Sequence, residues 1–177
     1  MGKVFSRALE QAGLTDLHSR VLSGEPLSQA ELLRLGAADL LLVAGLADAM
    51  RARFRGDEVR FVRASAARDL DLIVFKGVAS EHGATGADVL RELALLRLAT
   101  KPSTGIALSI ETIGLELAQT ALLFGADTLI GDLGNARTLP LLESAAARQR
   151  EVAGLIARSG RRVTFVGEAE PVLEQRP

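Results

Sequence analysis

The chain has 177 residues, enough for one domain or one core with an appendage, and it is 48% hydrophobic against 24% charged, a balance that excludes long disorder. Aromatic residues make up 3% and all are Phe, so the core must be built from Leu, Val, Ile and Ala, and aromatic stacking platforms for nucleic acid are scarce. A net charge of −1 gives no global attraction to nucleic acid or anionic membrane, and the absence of Cys excludes disulfides, thiolate nucleophiles and cysteine-ligated zinc or iron–sulfur sites.

The opening MGKVFSRALEQAGL lacks the apolar core of a signal peptide. The longest apolar run, Leu40 to Leu46, is far shorter than the ~20 residues that span a bilayer. The expectation is a soluble, cytoplasmic chain with no membrane and no nucleic-acid partner. Taken in order, residues 3–13 read as a short amphipathic helix stopped by Gly13, and Thr15 can cap a second that ends at Gly24. Ser28 and Glu31 form an S-x-x-E capping box that opens a third helix. A longer helix follows over 38–54, with Arg51, Arg53 and Arg55 crowding its end, where basic residues suit the helix dipole.

After the turn at Arg55-Gly56-Asp57, residues 58–63 alternate polar and apolar, the pattern of a strand with one buried face. Asp71 to Phe75 is denser in apolar residues, which predicts a strand covered on both faces. Only Ala64 to Leu70 separates the two, and a parallel crossover needs about a dozen residues. The pair is therefore antiparallel, or it is not adjacent in the sheet. A loop leads to Thr85 and Asp88, which cap a helix over 86–99. Next come strand 104–110, helix 112–124 ending at Gly125, strand 127–130, a long helix opened by Thr138 and Pro140 and running to Gly160, strand 162–166, and a flexible tail over 168–177. From Asp71 onward strands and helices alternate, which implies a parallel sheet with right-handed crossovers.

The stretches TGADVLRELALLRL and ELAQTALLFGADTLIG carry a resemblance. Thr85, Gly86, Asp88, Leu90, Arg91, Ala94, Arg97 and Leu98, followed by Gly125, Ala126, Asp127, Leu129 and Gly131, resemble the late barrel strands and helices of radical-SAM enzymes. The similar enzymes are those of the futalosine pathway to menaquinone and the related deazaflavin cofactor synthases. LSGEPLSQAELLRL and GLADAMRARFRGDEVRFV resemble the helices and first strand that precede the cluster loop in that family. The resemblance covers about two thirds of the chain. Where the family carries C-x-x-x-C-x-x-C this chain has Arg63-Ala64-Ser65-Ala66-Ala67-Arg68, and the positions that are acidic in the family's last strand are Thr128 and Ile130. Radical-SAM chemistry is thereby excluded. The implied fold is α/β: a partial (β/α) barrel-like parallel sheet of about five strands over 57–167, behind an N-terminal helical segment over 1–56. A complete eight-fold barrel needs ~200 residues or more, so an internally deleted one would leave open strand edges. Such edges call for a homodimer or a partner subunit, or for the front helices to fold over the open side.

Sites in parallel α/β folds collect at the carboxyl ends of the strands. Lys76 with Glu81 and His82 falls there by sequence, His82 as a general base or metal ligand with Glu81 beside it, or as part of a solvated loop. Ser109 and Glu111 stand where a strand enters a helix, for substrate hydrogen bonding or for capping. Asp127, Asp132 and Asn135 bracket a Gly131-Asp132-Leu133-Gly134-Asn135 turn that can wrap a ligand or simply join strand to helix. The arginine series Arg51, Arg53, Arg55, Arg60, Arg63 and Arg68 can bind a phosphate or carboxylate, or be a solvated face interleaved with Asp48, Asp57, Glu58 and Asp69. No catalytic motif and no metal site is present in the sequence, and no cofactor is implied. The expected function is that of a non-catalytic binding or interaction protein, with a possible small-molecule ligand. The alternative is a small cofactor-free enzyme acting on a nucleoside-like or menaquinone-precursor substrate.

Overall fold

A computed structural model describes residues 3–77, 83–135, 139, 142 and 144–167. Glu81, His82, Thr138, Pro140 and the tail over 168–177 lie outside them. The fold is α/β, with a five-stranded parallel sheet behind four N-terminal helices. Helices α1 (Lys3–Gln11), α2 (Thr15–Ser23), α3 (Gln29–Gly36) and α4 (Leu40–Arg55) precede β1 (Glu58–Val62). A 3-10 turn over Ala66–Asp69 leads to β2 (Leu72–Phe75), then α5 (Gly86–Ala99) and β3 (Gly105–Ser109). The chain continues through α6 (Ile110–Ile113), α7 (Leu115–Ala121), β4 (Thr128–Ile130), α8 (Ala145–Arg158) and β5 (Arg162–Val166).

Local chemistry sets most of these boundaries. Ser28 Oγ accepts the Glu31 N–H while Glu31 returns a bond to the Ser28 N–H, closing the expected capping box on α3. Thr85 and Asp88 do the same for α5. Asp39 caps α4 by accepting the Leu41 N–H, and Ser144 caps α8 by accepting the Ala147 N–H. Thr15 is the first residue of α2 rather than its cap, because Leu14 takes the cap position and makes no side-chain bond. The single helix expected over 112–124 is broken: Gly114, at φ +80°, separates α6 from α7, and a 3-10 turn over Leu122–Phe124 closes the segment at Gly125.

The strand order is β2-β3-β4-β1-β5, and every pairing is parallel. β1 and β2 are thus not adjacent: β4 and β3 lie between them, and this is how so short a link joins two parallel strands. Register puts Phe61 beside Leu129 and Phe165, Leu129 beside Leu108, and Leu108 beside Phe75. These side chains form one face of the sheet, since residues paired in a parallel ladder point the same way. That face packs into a continuous apolar cluster with Leu46 and Ala47 of α4, Leu93 and Ala94 of α5, Ala118 of α7 and Val152 and Ile156 of α8. α1 and α2 pack on α4, and α3 packs on α5, so the front helices extend the same core through Leu9, Leu17, Val21 and Leu35.

The central strands β3 and β4 are buried on both faces, as dense apolar runs require. β2 is not, which overturns the expectation for it. Ile73 and Val74 are 36% and 41% exposed although they point to opposite faces, because β2 is an edge strand with a ladder partner on one side only among the described residues.

Candidate functional site

The carboxyl ends of β2, β3 and β4 bring several of the sequence candidates into one row. Ser109 is paired with Ile130, and one residue further on lie Ile110 of α6 and Gly131. Lys76 follows Phe75, which is level with Leu108. Lys76, Glu111 and Asn135 are exposed, and Ser109 and Asp132 are half-buried. Ser109 stands at the N-terminal boundary of α6 but its side chain makes no capping bond. The Gly131–Asn135 loop is a built turn: Asp132 Oδ1 accepts the Gly134 N–H at 2.9 Å and the Asp132 carbonyl accepts the Asn135 N–H at 3.1 Å. Buried Arg148 of α8 holds this loop from below, donating from Nε to the Leu133 carbonyl at 2.6 Å and from Nη1 to the Leu142 carbonyl at 2.6 Å. Glu81 and His82 lie outside the described residues, so the Lys76–Glu81–His82 group has no geometry here.

Asp127 does not join this row. It precedes β4 at the amino end of the sheet, only 2% exposed, and is wrapped by arginines. Arg97 Nη2 donates to its Oδ2 at 2.8 Å and Arg55 Nε to the same oxygen at 3.1 Å. Thr128 Oγ1 donates to Oδ1 at 2.8 Å, and Arg60 Nη2 stands 3.8 Å from Oδ1. Fully buried Arg97 spends its remaining donors on the Gly125 carbonyl at 2.8 Å and the Thr104 carbonyl at 2.9 Å. Gly125 is required for this: at φ +96° it favours glycine, and a Cβ there would stand 2.7 Å from Arg97 Cγ. Burial pushes the Arg97 guanidinium below the usual arginine range, and the Asp127 carboxylate opposes that push.

A second cluster adjoins the first. Arg51 Nε donates to Asp48 Oδ1 at 2.9 Å and its Nη1 to the Gly56 carbonyl. Arg161 Nη2 donates to the same Asp48 oxygen and its Nη1 to the Ala126 carbonyl. Arg51 and Arg161 are both buried, and burial depresses Arg161 to about 10. The arginine series is therefore not a uniformly solvated face: Arg51, Arg55 and Arg60 turn inward, whereas Arg53, Arg63 and Arg68 are exposed or half-buried.

The chain matches no family model, no curated protein and no solved structure. Its chemistry must be read from its own residues.

Two concave regions border these features. A cavity of about 240 Å³ lined by Phe54, Arg55, Glu58 and Arg60 opens beside the Asp127 cluster. An apolar groove of about 310 Å³ lies beside the β2 edge, between Leu32 of α3, Phe75, and Glu92, Leu95, Leu96 and Ala99 of α5. Among the described residues no group of three or more His, Asp or Glu is placed to hold a metal ion, and no helix is long and apolar enough to cross a membrane.

Sequence reasoning missed the buried arginines Arg97, Arg148 and Arg161. A signal was present for two of them. Arg97 falls on the stripe of Leu90, Leu93, Ala94 and Leu98, and Arg148 on that of Val152 and Ile156. A cation on the apolar stripe of a helix needs a buried acid or a set of carbonyls, because an unpaired charge is too costly to bury.

Proposed function

We propose that this protein is a non-catalytic interaction protein that works as a homodimer joined along the β2 edge, on a sheet descended from a radical-SAM-type barrel. The observation that carries the dimer is the character of that edge. Leu72-Ile73-Val74-Phe75 contains no charge and no proline, and half-exposed Ile73 and Val74 show apolar side chains on both faces. Soluble proteins protect open edges with charge, proline or cover. The opposite edge carries exposed Arg162 within β5, whereas the charges nearest to β2, exposed Asp71 and Lys76, lie just beyond its ends.

A second copy is the occupant that fits. Two β2 strands related by a two-fold axis pair antiparallel and are self-complementary, whereas β2 on the β5 edge of another copy is a head-to-tail contact that builds a ring or a filament rather than a dimer. The groove of Leu32, Phe75, Leu95, Leu96 and Ala99 lies beside the same edge, with exposed Leu33 nearby in sequence, and extends the apolar surface available to the partner. Descent from a barrel is supported by the motifs and by the parallel pairing of the strands. The all-parallel pairing is that of such a barrel, whereas the order is not sequential, since β1 pairs with β4 and β5 rather than with β2. The absence of Cys removes the cluster chemistry of such a barrel and leaves its surface for binding.

Sedimentation velocity tests the dimer. The wild-type chain is expected at twice 18.7 kDa, and Val74→Lys at 18.7 kDa with an unchanged circular dichroism spectrum. A wild-type monomer at all concentrations, or a dimer that survives Val74→Lys, contradicts the reading.

A further inference from the structure

We infer that the cavity at the amino end of the sheet, lined by Phe54, Arg55, Glu58 and Arg60, binds a dianionic phosphate group. Three observations converge there. First, Arg60 Nη2 is buried without a hydrogen-bond acceptor, since Asp127 Oδ1 at 3.8 Å is an ion-pair neighbour beyond hydrogen-bond reach. A buried cationic N–H left unmatched is costly, and native structures seldom retain one without an occupant for the site. Second, the charge does not balance. Arg55, Arg60 and Arg97 all face one carboxylate, Asp127, leaving a surplus of two positive charges. Oδ2 already accepts from Arg55 and Arg97 and Oδ1 from Thr128, so Asp127 gives Arg60 an ion-pair neighbour but no hydrogen bond.

Third, Arg55 and Arg60 both line the cavity with part of their side chains exposed, 23% and 24%. Arg55 uses Nε on Asp127 and Nη1 on the Ser103 carbonyl at 2.9 Å, so among the described residues its Nη2 has no acceptor. Glu58 also lines the cavity and would repel an anion, but it is exposed, and its cross-strand neighbour on the same face is Arg162. Gly105 makes room for the arrangement, since a Cβ at that position would stand 2.7 Å from Arg60 Nη2. Planar guanidinium forks match phosphate oxygens, and a dianion cancels the surplus of two. The volume of about 240 Å³ accommodates inorganic phosphate or a small phosphomonoester.

Isothermal titration calorimetry at constant ionic strength tests the site with inorganic phosphate and glycerol phosphate as probes. Saturable binding of one phosphate per chain is expected, weakened about tenfold or more in Arg60→Gln and unchanged in Arg53→Gln, whose side chain is exposed. Tighter binding of glycerol phosphate identifies a phosphomonoester as the natural ligand; equal or weaker binding identifies the free ion. If wild-type protein shows no saturable heat with either probe, or if Arg60→Gln folds and binds as tightly as wild type, the inference is overturned. The wild-type titration decides the matter even if the variant fails to fold.

Discussion

Asp127 is held in the interior by Arg97 and Arg55 on one oxygen and Thr128 on the other, so its charge is matched at close range in a region that excludes water. An ion pair buried in this way does not add much to stability over an apolar isostere, but breaking it strands the partner charge. Asp127→Ala is therefore expected to destabilise the fold by about 3–5 kcal/mol, because it leaves Arg97 buried and unpaired. Asp132→Ala, which removes only the half-buried acceptor of the Gly134 N–H, is expected to lose about 1 kcal/mol. Urea denaturation of the two variants checks the contrast; equal losses would mean that Asp127 is no more than another turn acid. Sequence spacing selected both aspartates, since both flank a short strand. Chain order puts Asp127 at the amino end of that strand and Asp132 beyond its carboxyl end, but the arginines that bury Asp127 come from elements far away in the chain.

At the scale of the elements, helix starts were the most legible feature, since a cap is written in residues three apart. Ser28 with Glu31 and Thr85 with Asp88 close the boxes their spacing predicts. Helix 112–124 and β2 were less legible, for different reasons. The apolar stripe of Ile113, Leu117, Ala118 and Ala121 runs through Gly114 without interruption, and only the positive φ of that glycine shows the break. The composition of β2 fits a strand buried on both faces, but burial is decided by strand order, which composition does not encode. The caps carry a pH dependence. Hydrogen bonds from Ser28 and Thr85 hold the Glu31 and Asp88 carboxyls below their usual values of 4.5 and 3.8, so the stabilisation is present above those values and is lost as pH falls through the lower folded-state values. Thr85→Ala is expected to lower Tm by about 2–4 °C at neutral pH, the shift a lost cap gives in a domain of this size. Calorimetry at neutral pH and near pH 3 should show the difference from wild type shrinking in acid. A difference independent of pH would mean that the Thr85–Asp88 bonds do not survive in solution.

On the scale of the whole molecule, the N-terminal helices and the sheet share one apolar cluster that reaches from Leu9 to Ile156, and among the described residues β2 and β5 have a strand partner on one side only. The α/β class, the parallel sheet and the front helices were legible from the alternation of elements along the chain. The position of β1 between β4 and β5 was not, because it rests on pairing between residues far apart in the chain. The account predicts that the two edges behave differently, β2 covered by a second copy and β5 guarded by Arg162 and left to solvent. Hydrogen–deuterium exchange of residues 72–75 and 162–166, followed from dilute to concentrated protein, tests that claim most directly. Protection of 72–75 that rises with concentration while 162–166 stays unchanged is the predicted result. Exchange at 72–75 that is independent of concentration, or protection that builds at 162–166 instead, would contradict it.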